Sequence, residues 1–199
     1  MQIFKSDIEI AFEIDKIVNN LLCIHPEARP FVCDGIPKTK SIFIVGYNPA
    51  TSISKKWSDY WSCEKGYDLK KWTKDYERQR IELGKPKTSR TRLRINEIEK
   101  SNKGHFFETN IYSVPSKNVK SLSSKGDSLL YEFIEIIRPY LLIVHGKEAE
   151  RYIKGKYTVA NNEIHEISCN VMFCTHLSRI SNMELAKIKN RVQEFLNET

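Results

Sequence analysis

The residues best suited to chemistry lie in two short polar loops, and each loop follows an apolar run. The first loop begins Gly46-Tyr47-Asn48-Pro49, directly after the run SIFIV. Gly46 permits a sharp turn and Pro49 restricts the backbone at Asn48, so the Asn48 side chain is held in one place. Its carboxamide can orient a water through the carbonyl oxygen or hydrogen-bond a ligand, but it is no strong base. The alternative is a turn residue that bonds its own backbone.

The second loop, from Thr175 to Ser181, contains a histidine followed by hydroxyl and basic side chains. His176 can donate a hydrogen bond to a developing anion, although a surface histidine without a role is the alternative. Ile180 is an apolar side chain on a largely polar loop, and side chains of this kind can insert between stacked bases. The side chains suited to phosphate oxygens are Ser178, Arg179 and Ser181.

Strand-like and helix-like segments alternate along the chain, and this alternation should bring the two loops together. The apolar runs predict strands at Ser41–Gly46, Phe106–Ile111, Leu141–His145 and Val171–Cys174. Helical periodicity predicts helices at Asp7–Leu22, Asp68–Leu83, Ser89–Ile98, Ser128–Ile137 and Asn182–Leu196, the first with a capping box of Ser6 and Glu9. Strands that are apolar throughout predict a parallel sheet covered on both faces, with ligands at its carboxyl edge.

Composition favours one domain with an affinity for polyanions. The 199 residues carry a formal net charge of +7, and fourteen basic against eight acidic side chains fall between positions 55 and 100. Such a region attracts nucleic acid, and the alternative is a solvated helix face. No apolar run has the length of a membrane span, and acids occupy the N-terminal segment where a secretory signal is apolar. We therefore expect a cytoplasmic protein without membrane contact.

The cysteines argue against a metal centre. The five thiols are Cys23, Cys33, Cys63, Cys169 and Cys174, and no two of them have CxxC spacing. Zinc and iron–sulfur sites usually include such a close pair of ligands. We expect free thiols in a reducing compartment and neither a metal ion nor another cofactor.

The two loops together resemble the signature motifs of the uracil-DNA glycosylase superfamily, G-x-[DNE]-P-[YGA] and H-P-S-P-x-[SN]. The first is GYNPA, whose asparagine form is similar to the mismatch-specific and single-strand-selective branches, and the second is HLSRIS. Between them, FETN resembles the strand whose asparagine, here Asn110, reads the uracil edge. HGKEA resembles a WGxxA element with His145 in place of the tryptophan, and Val114-Pro115-Ser116 resembles the loop that presses on DNA.

The resemblance implies a three-layer α/β/α sandwich around a central four-stranded parallel sheet, formed by residues 1–199 with a basic helical insertion at about 52–103. It implies hydrolysis of the glycosidic bond of uracil or a related damaged base in DNA, in base excision repair. Asn48 would position the attacking water, and His176 would donate to the uracil oxygen. The expected substrate-binding residues are Gly46, Tyr47, Pro49, Asn110, Trp57, Tyr60 and Trp61, the three last either as an aromatic floor or as core packing. The expected DNA-binding residues are Ser116, Ser178, Arg179, Ile180, Ser181, Arg90 and Arg94.

Departures from the family pattern leave two other readings open. Leu177 and Arg179 stand where the second motif has prolines, and Ala50 replaces a commoner glycine or tyrosine. The chain could therefore be a catalytically silent member that binds nucleic acid. It could also be a Rossmann-like enzyme acting on free nucleotides, although the glycine-rich phosphate motifs of such enzymes are absent from the sequence. We expect the protein to act as a monomer on DNA.

Overall fold

A computed structural model describes residues 6–37, 42–49, 53–100, 102–116 and 128–197. Its six helices are α1 (Asp7–Ile24), α2 (Leu69–Glu82), α3 (Arg90–Glu99), α4 (Leu130–Ile137), α5 (Lys147–Lys156) and α6 (Asn182–Asn197). Its nine strands are β1 (Phe31–Cys33), β2 (Ile42–Gly46), β3 (Trp61–Ser62), β4 (Gly66–Tyr67), β5 (Phe106–Asn110), β6 (Leu141–His145), β7 (Val159–Ala160), β8 (Glu163–Ile164) and β9 (Cys169–Cys174). The predicted site or boundary residues Ser41, Ala50 and Ser52 lie outside the described ranges.

The fold is α/β, as predicted, with a mostly parallel central sheet. The order of the described strands in this sheet is β1-β5-β2-β6-β9-β8-β7, and β5, β2, β6 and β9 run parallel to one another. Strands β3 and β4 pair with each other in a separate antiparallel sheet. The four predicted strands form the parallel part of the sheet, but the described sheet has seven strands, because three further strands extend the parallel set. Strand β1 adds antiparallel to β5, and the β7–β8 hairpin adds antiparallel to β9.

Helices cover both faces of this sheet, and its parallel strands are therefore buried on both sides. Phe43 and Val45 of β2 point into a core shared with α1, α4 and α5. Ile42 and Ile44 alternate to the other face and pack with α3 and α6. Helix α1 begins at the predicted capping box, in which Ser6 and Glu9 exchange hydrogen bonds. No helix in the described ranges is long and apolar enough to cross a bilayer.

Candidate active site

One row of residues crosses the carboxyl edge of the sheet on the face that carries α3 and α6. Gly46 of β2 is paired with Asn110 of β5, and on its other side lies His145 of β6, which is itself paired with Cys174 of β9. Adjacent positions in a parallel sheet point to the same face, so the Asn110 and His145 side chains flank Gly46. The two loops predicted to carry chemistry, after β2 and after β9, open at this row.

The Asn48 carboxamide is held by a distant part of the chain. Its Nδ2 donates to the backbone oxygen of Ser116 at 2.6 Å and, more weakly, to that of Pro49 at 3.4 Å. The stronger bond spans 68 residues, so Asn48 is not merely a local turn residue. With the amide nitrogen committed to carbonyl groups, Oδ1 is the atom of this side chain that can accept a hydrogen bond from a water.

His176 is held in one tautomer by the residue two positions later. The backbone N–H of Ser178 donates to Nδ1 of His176 at 3.3 Å, and the Ser178 hydroxyl lies 2.8 Å from the same nitrogen. Because Nδ1 accepts the backbone bond, the proton of the neutral ring is on Nε2. Burial and then the charge of Arg179 lower the pKa of His176. The ring is therefore a neutral donor at pH 7.

These side chains meet at a recess of about 320 Å³. Asn48, Asn110 and His176 line it, together with the aromatic rings of Trp72 and Tyr76. Asn48 and His176 also line a neighbouring cavity of about 840 Å³, which includes Tyr47 and Arg179. The structure thus brings three polar groups of the predicted site together at one edge, next to a larger opening.

The sequence over residues 34–199 matches the family model of the uracil DNA glycosylase superfamily. The chain belongs to this superfamily. No curated protein matches the sequence. Superfamily members are typically hydrolytic glycosylases that act on DNA, which supports an assignment to DNA repair at that level.

Of the two alternatives for the WSDYW aromatics, an aromatic floor or core packing, the structure favours core packing. Trp57 and Tyr60 are 3% exposed and pack in the main core, with the Trp57 ring 4.8 Å from Phe31. Trp57 donates to the Phe31 carbonyl, Tyr60 to Asp75, and Trp61 to Asp15. Large rings whose polar atoms are satisfied stabilise the core. Trp72 and Tyr76 form the aromatic wall of the recess instead, and both are also part of this core, with Trp72 itself 2% exposed.

Tyr47 lies on the other side of the site from this wall. Its ring packs edge-to-face against Tyr112, with the ring centres 5.4 Å apart, and it lines the larger cavity. Pro49, in contrast, lines the recess together with Asn48. Tyr47 therefore borders the larger cavity and not the recess, and an aromatic floor formed by Tyr47 stays a prediction.

The structure also corrects the prediction that Ile180 enters a base stack. Ile180 is 6% exposed and Leu177, in the position of the family proline, is fully buried, and both pack with α6. These two apolar side chains anchor the loop and leave His176 at the site. Ser181 caps α6 through a bond from the Glu184 backbone, so its hydroxyl is engaged in the helix start. Arg179 is exposed beside the larger cavity.

The arginines of α3 differ in their surroundings. Helical spacing places Arg92 on a different face from Arg90 and Arg94, and its side chain forms a bidentate pair with Glu108 at the recess. Arg94 pairs with Glu97 and donates to Asn182, while Arg90 is exposed. Of the two predicted DNA contacts, Arg90 is thus the more accessible, and both roles stay predictions.

Sequence reasoning also missed His145 as a site residue. His145 is 7% exposed, lines both cavities, and stands edge-to-face to His176 with the ring centres 5.0 Å apart. Burial and then the neighbouring His176 lower the pKa of His145 to about 3. The feature of the sequence that could have indicated His145 is its position at the end of a buried strand. Among the described residues, no group of three or more His, Cys, Asp or Glu side chains is placed to hold a metal ion.

Proposed function

We propose that this protein is a hydrolytic DNA glycosylase that releases uracil or a related damaged base from DNA. The observation that carries this proposal is the convergence of Asn48, Asn110 and His176 at one recess on the carboxyl edge of the sheet. These are the groups that the chemistry needs: one to hold a water, one to read a base, and one to stabilise the departing base.

The reaction breaks the bond between the sugar and the base nitrogen, so positive charge develops on the sugar and negative charge on the base. The Asn48 Oδ1 accepts a hydrogen bond from the water that attacks the sugar. His176 donates from Nε2 to the base oxygen on which charge develops. A preorganised donor of this kind contributes about 100- to 1,000-fold to the rate. A neutral donor suffices, since the hydrogen bond strengthens as the oxygen becomes anionic.

The polar groups lie inside a recess at the sheet edge, where a base that is still stacked in DNA cannot reach them. The target nucleotide must therefore leave the base stack to enter the recess. Unstacking costs a few kcal/mol, roughly, and contacts to the DNA backbone must offset this cost. The formal charge of +7 and the exposed side chains of Arg90 and Arg179 support such contacts. Ser116 and Ser178 hold Asn48 and His176, so any phosphate contact they make also positions the catalytic groups.

The test is a product assay on single- and double-stranded oligonucleotides that contain one uracil, run beside a DNA-binding titration. The proposal requires release of free uracil and an alkali-labile abasic site by the wild-type protein. Binding of DNA without release of any damaged base would favour the alternative of a catalytically silent protein that binds nucleic acid. Activity confined to free nucleotides would favour the alternative of a Rossmann-like enzyme that acts on free nucleotides.

A further inference from the structure

We propose that His145 is a second base-reading residue, which donates a hydrogen bond from Nε2 to the 4-oxygen of the base, the carbonyl that deamination creates beside the N–H that Asn110 reads. The site would then select bases whose edge presents a carbonyl beside a ring N–H. This inference rests on the proposed function, in that a base occupies the recess.

Asn110 and His145 can approach each other across the sheet edge because Gly46, which lies between them, has no side chain. A Cβ placed on Gly46 would lie 2.6 Å from Oδ1 of Asn110 and 3.1 Å from Nε2 of His145. The two polar atoms therefore approach the same point from neighbouring strands, over the backbone of the strand between them. A larger residue at position 46 would displace the Asn110 carboxamide and crowd the His145 ring. The sheet edge thus has a slot bordered by two hydrogen-bonding groups.

The His145 ring has one nitrogen that the protein does not use. Nδ1 is buried and has no hydrogen-bond partner among the residues that the structure describes. Buried N–H groups without a partner are rarer in proteins than underused acceptors. The favoured tautomer therefore leaves Nδ1 unprotonated and puts the proton on Nε2, the nitrogen that faces the slot.

The pair has a defined preference for one pattern of base atoms. The Asn110 Oδ1 accepts, and the His145 Nε2–H donates. Their complement is a ring N–H beside a carbonyl oxygen, which is the arrangement that deamination creates when it converts an amino-substituted ring into a carbonyl form. An amino-substituted base would place its own N–H group against the His145 donor and an unprotonated ring nitrogen against the Asn110 oxygen.

This role differs from that of His176 in its surroundings. Ser178 fixes His176 through Nδ1, whereas His145 is oriented by burial among the ends of β2, β5 and β6. The low pKa of His145 keeps its ring neutral in the range in which proteins are assayed. His145 is thus a constant donor to substrate, not a group that exchanges protons during the reaction.

The experiment measures binding of a single-stranded oligonucleotide that carries one 2′-fluoroarabino-uridine, whose fluorine suppresses cleavage of the glycosidic bond. A second oligonucleotide has sulfur in place of the 4-oxygen, which weakens the acceptor and keeps the adjacent N–H. We expect the wild type to bind the oxygen form about 2- to 10-fold more tightly, the worth of one neutral hydrogen bond. In His145→Phe and His145→Met, which lack a donor, the ratio should fall to about 1, and His145→Gln should restore part of it.

His165→Phe is the matched control, because His165 is exposed and lies at the opposite edge of the sheet, before β9 begins. This control should keep the wild-type ratio, and thermal unfolding confirms that each variant is folded. A wild-type ratio near 1, or an unchanged ratio in whichever donor-free variant folds, would overturn the role of His145. Failure of the wild type to excise uracil, with the His145-dependent ratio intact, would instead overturn only the proposed hydrolysis.

Discussion

Asn48 and His176 are held in place in the same way, each through one side-chain nitrogen. In each side chain one nitrogen is fixed by the backbone of a residue in a loop: Nδ2 of Asn48 by Ser116, and Nδ1 of His176 by Ser178. The fixed atom orients the other polar atom of the same group. Because side chains that are held in place before the substrate binds need no reorganisation during the reaction, this arrangement suits catalysis.

The charge of the residue at position 110 should set the selectivity between bases. We expect Asn110→Asp to weaken excision of uracil, because a carboxylate places negative charge beside a base that itself becomes negative as it leaves. Discrimination towards cytosine should relax, since the second carboxylate oxygen can accept a hydrogen bond from the amino group of cytosine. Single-turnover excision from matched oligonucleotides with uracil or cytosine measures the effect. If the ratio of the two rates stays at the wild-type value, Asn110 does not read the base.

The buried ring of His145 should make stability depend on pH. Its pKa is about 3 in the folded protein, below the usual 6.5, so the unfolded chain binds a proton that the folded chain refuses between these values. The free energy of unfolding should therefore fall as pH drops below 6.5, by about 1.4 kcal/mol per pH unit from this group. Urea unfolding of the wild type and His145→Phe near neutral pH and about two units lower isolates this contribution. Equal pH dependence in the two proteins would contradict the shifted pKa.

At the level of secondary structure elements, α3 is tied to the sheet by a buried ion pair. The side chains of Arg92 and Glu108 are 11% and 9% exposed, and the Arg92 guanidinium also lies 4.7 Å from the centre of the Trp72 ring. Burial and then the charge of Glu108 raise the pKa of the adjacent Glu99 to about 9. Burial thus disfavours the charged form of Glu99, and the carboxylate that contacts Arg92 through two hydrogen bonds is that of Glu108.

Removal of one partner should be costly because it leaves the other charge buried. We expect Arg92→Met to lower the free energy of unfolding by about 3–5 kcal/mol. Arg94→Met is the control, since the half-exposed pair of Arg94 with Glu97 is worth about 0–1 kcal/mol. Denaturant unfolding of the two variants decides the matter. Similar losses for both would show that the Arg92 pair does not hold α3.

The parallel strands and the helices were predictable because their apolar periodicity is strong. Strand β1 was not, since three residues inside a proline-broken connector give no alternation to detect. The aromatic residues Trp57 and Trp61 look the same in sequence whether they line a site or fill a core. Asn48 and His176 were found because each follows a buried strand, and the same position would have indicated His145. The direction of Ile180 depends on packing against α6, which the sequence of the loop does not reveal.

For the whole molecule, the positive charge should control DNA affinity and leave the chemical step unchanged. We expect Arg90→Glu to reduce the magnitude of the salt slope of binding by about 0.7–0.9 or more, because at least one phosphate contact is lost. Lys189→Glu makes the same change in charge near the opposite sheet edge, beside Phe106, and should leave the slope closer to that of the wild type. Fluorescence titrations of labelled DNA at several salt concentrations give the slopes. Identical slopes for Arg90→Glu and the wild type would remove Arg90 from the DNA-binding surface.

The most direct test of a glycosylase site built on Asn48 and His176 is the single-turnover rate of uracil release at saturating DNA. His176→Ala should lower this rate by about 100- to 1,000-fold through loss of one preorganised donor. Asn48→Ala should also lower it strongly, while thermal unfolding and DNA affinity of both variants remain near the wild-type values. A wild-type rate of uracil release from the folded double variant would contradict the assignment of catalysis to this recess.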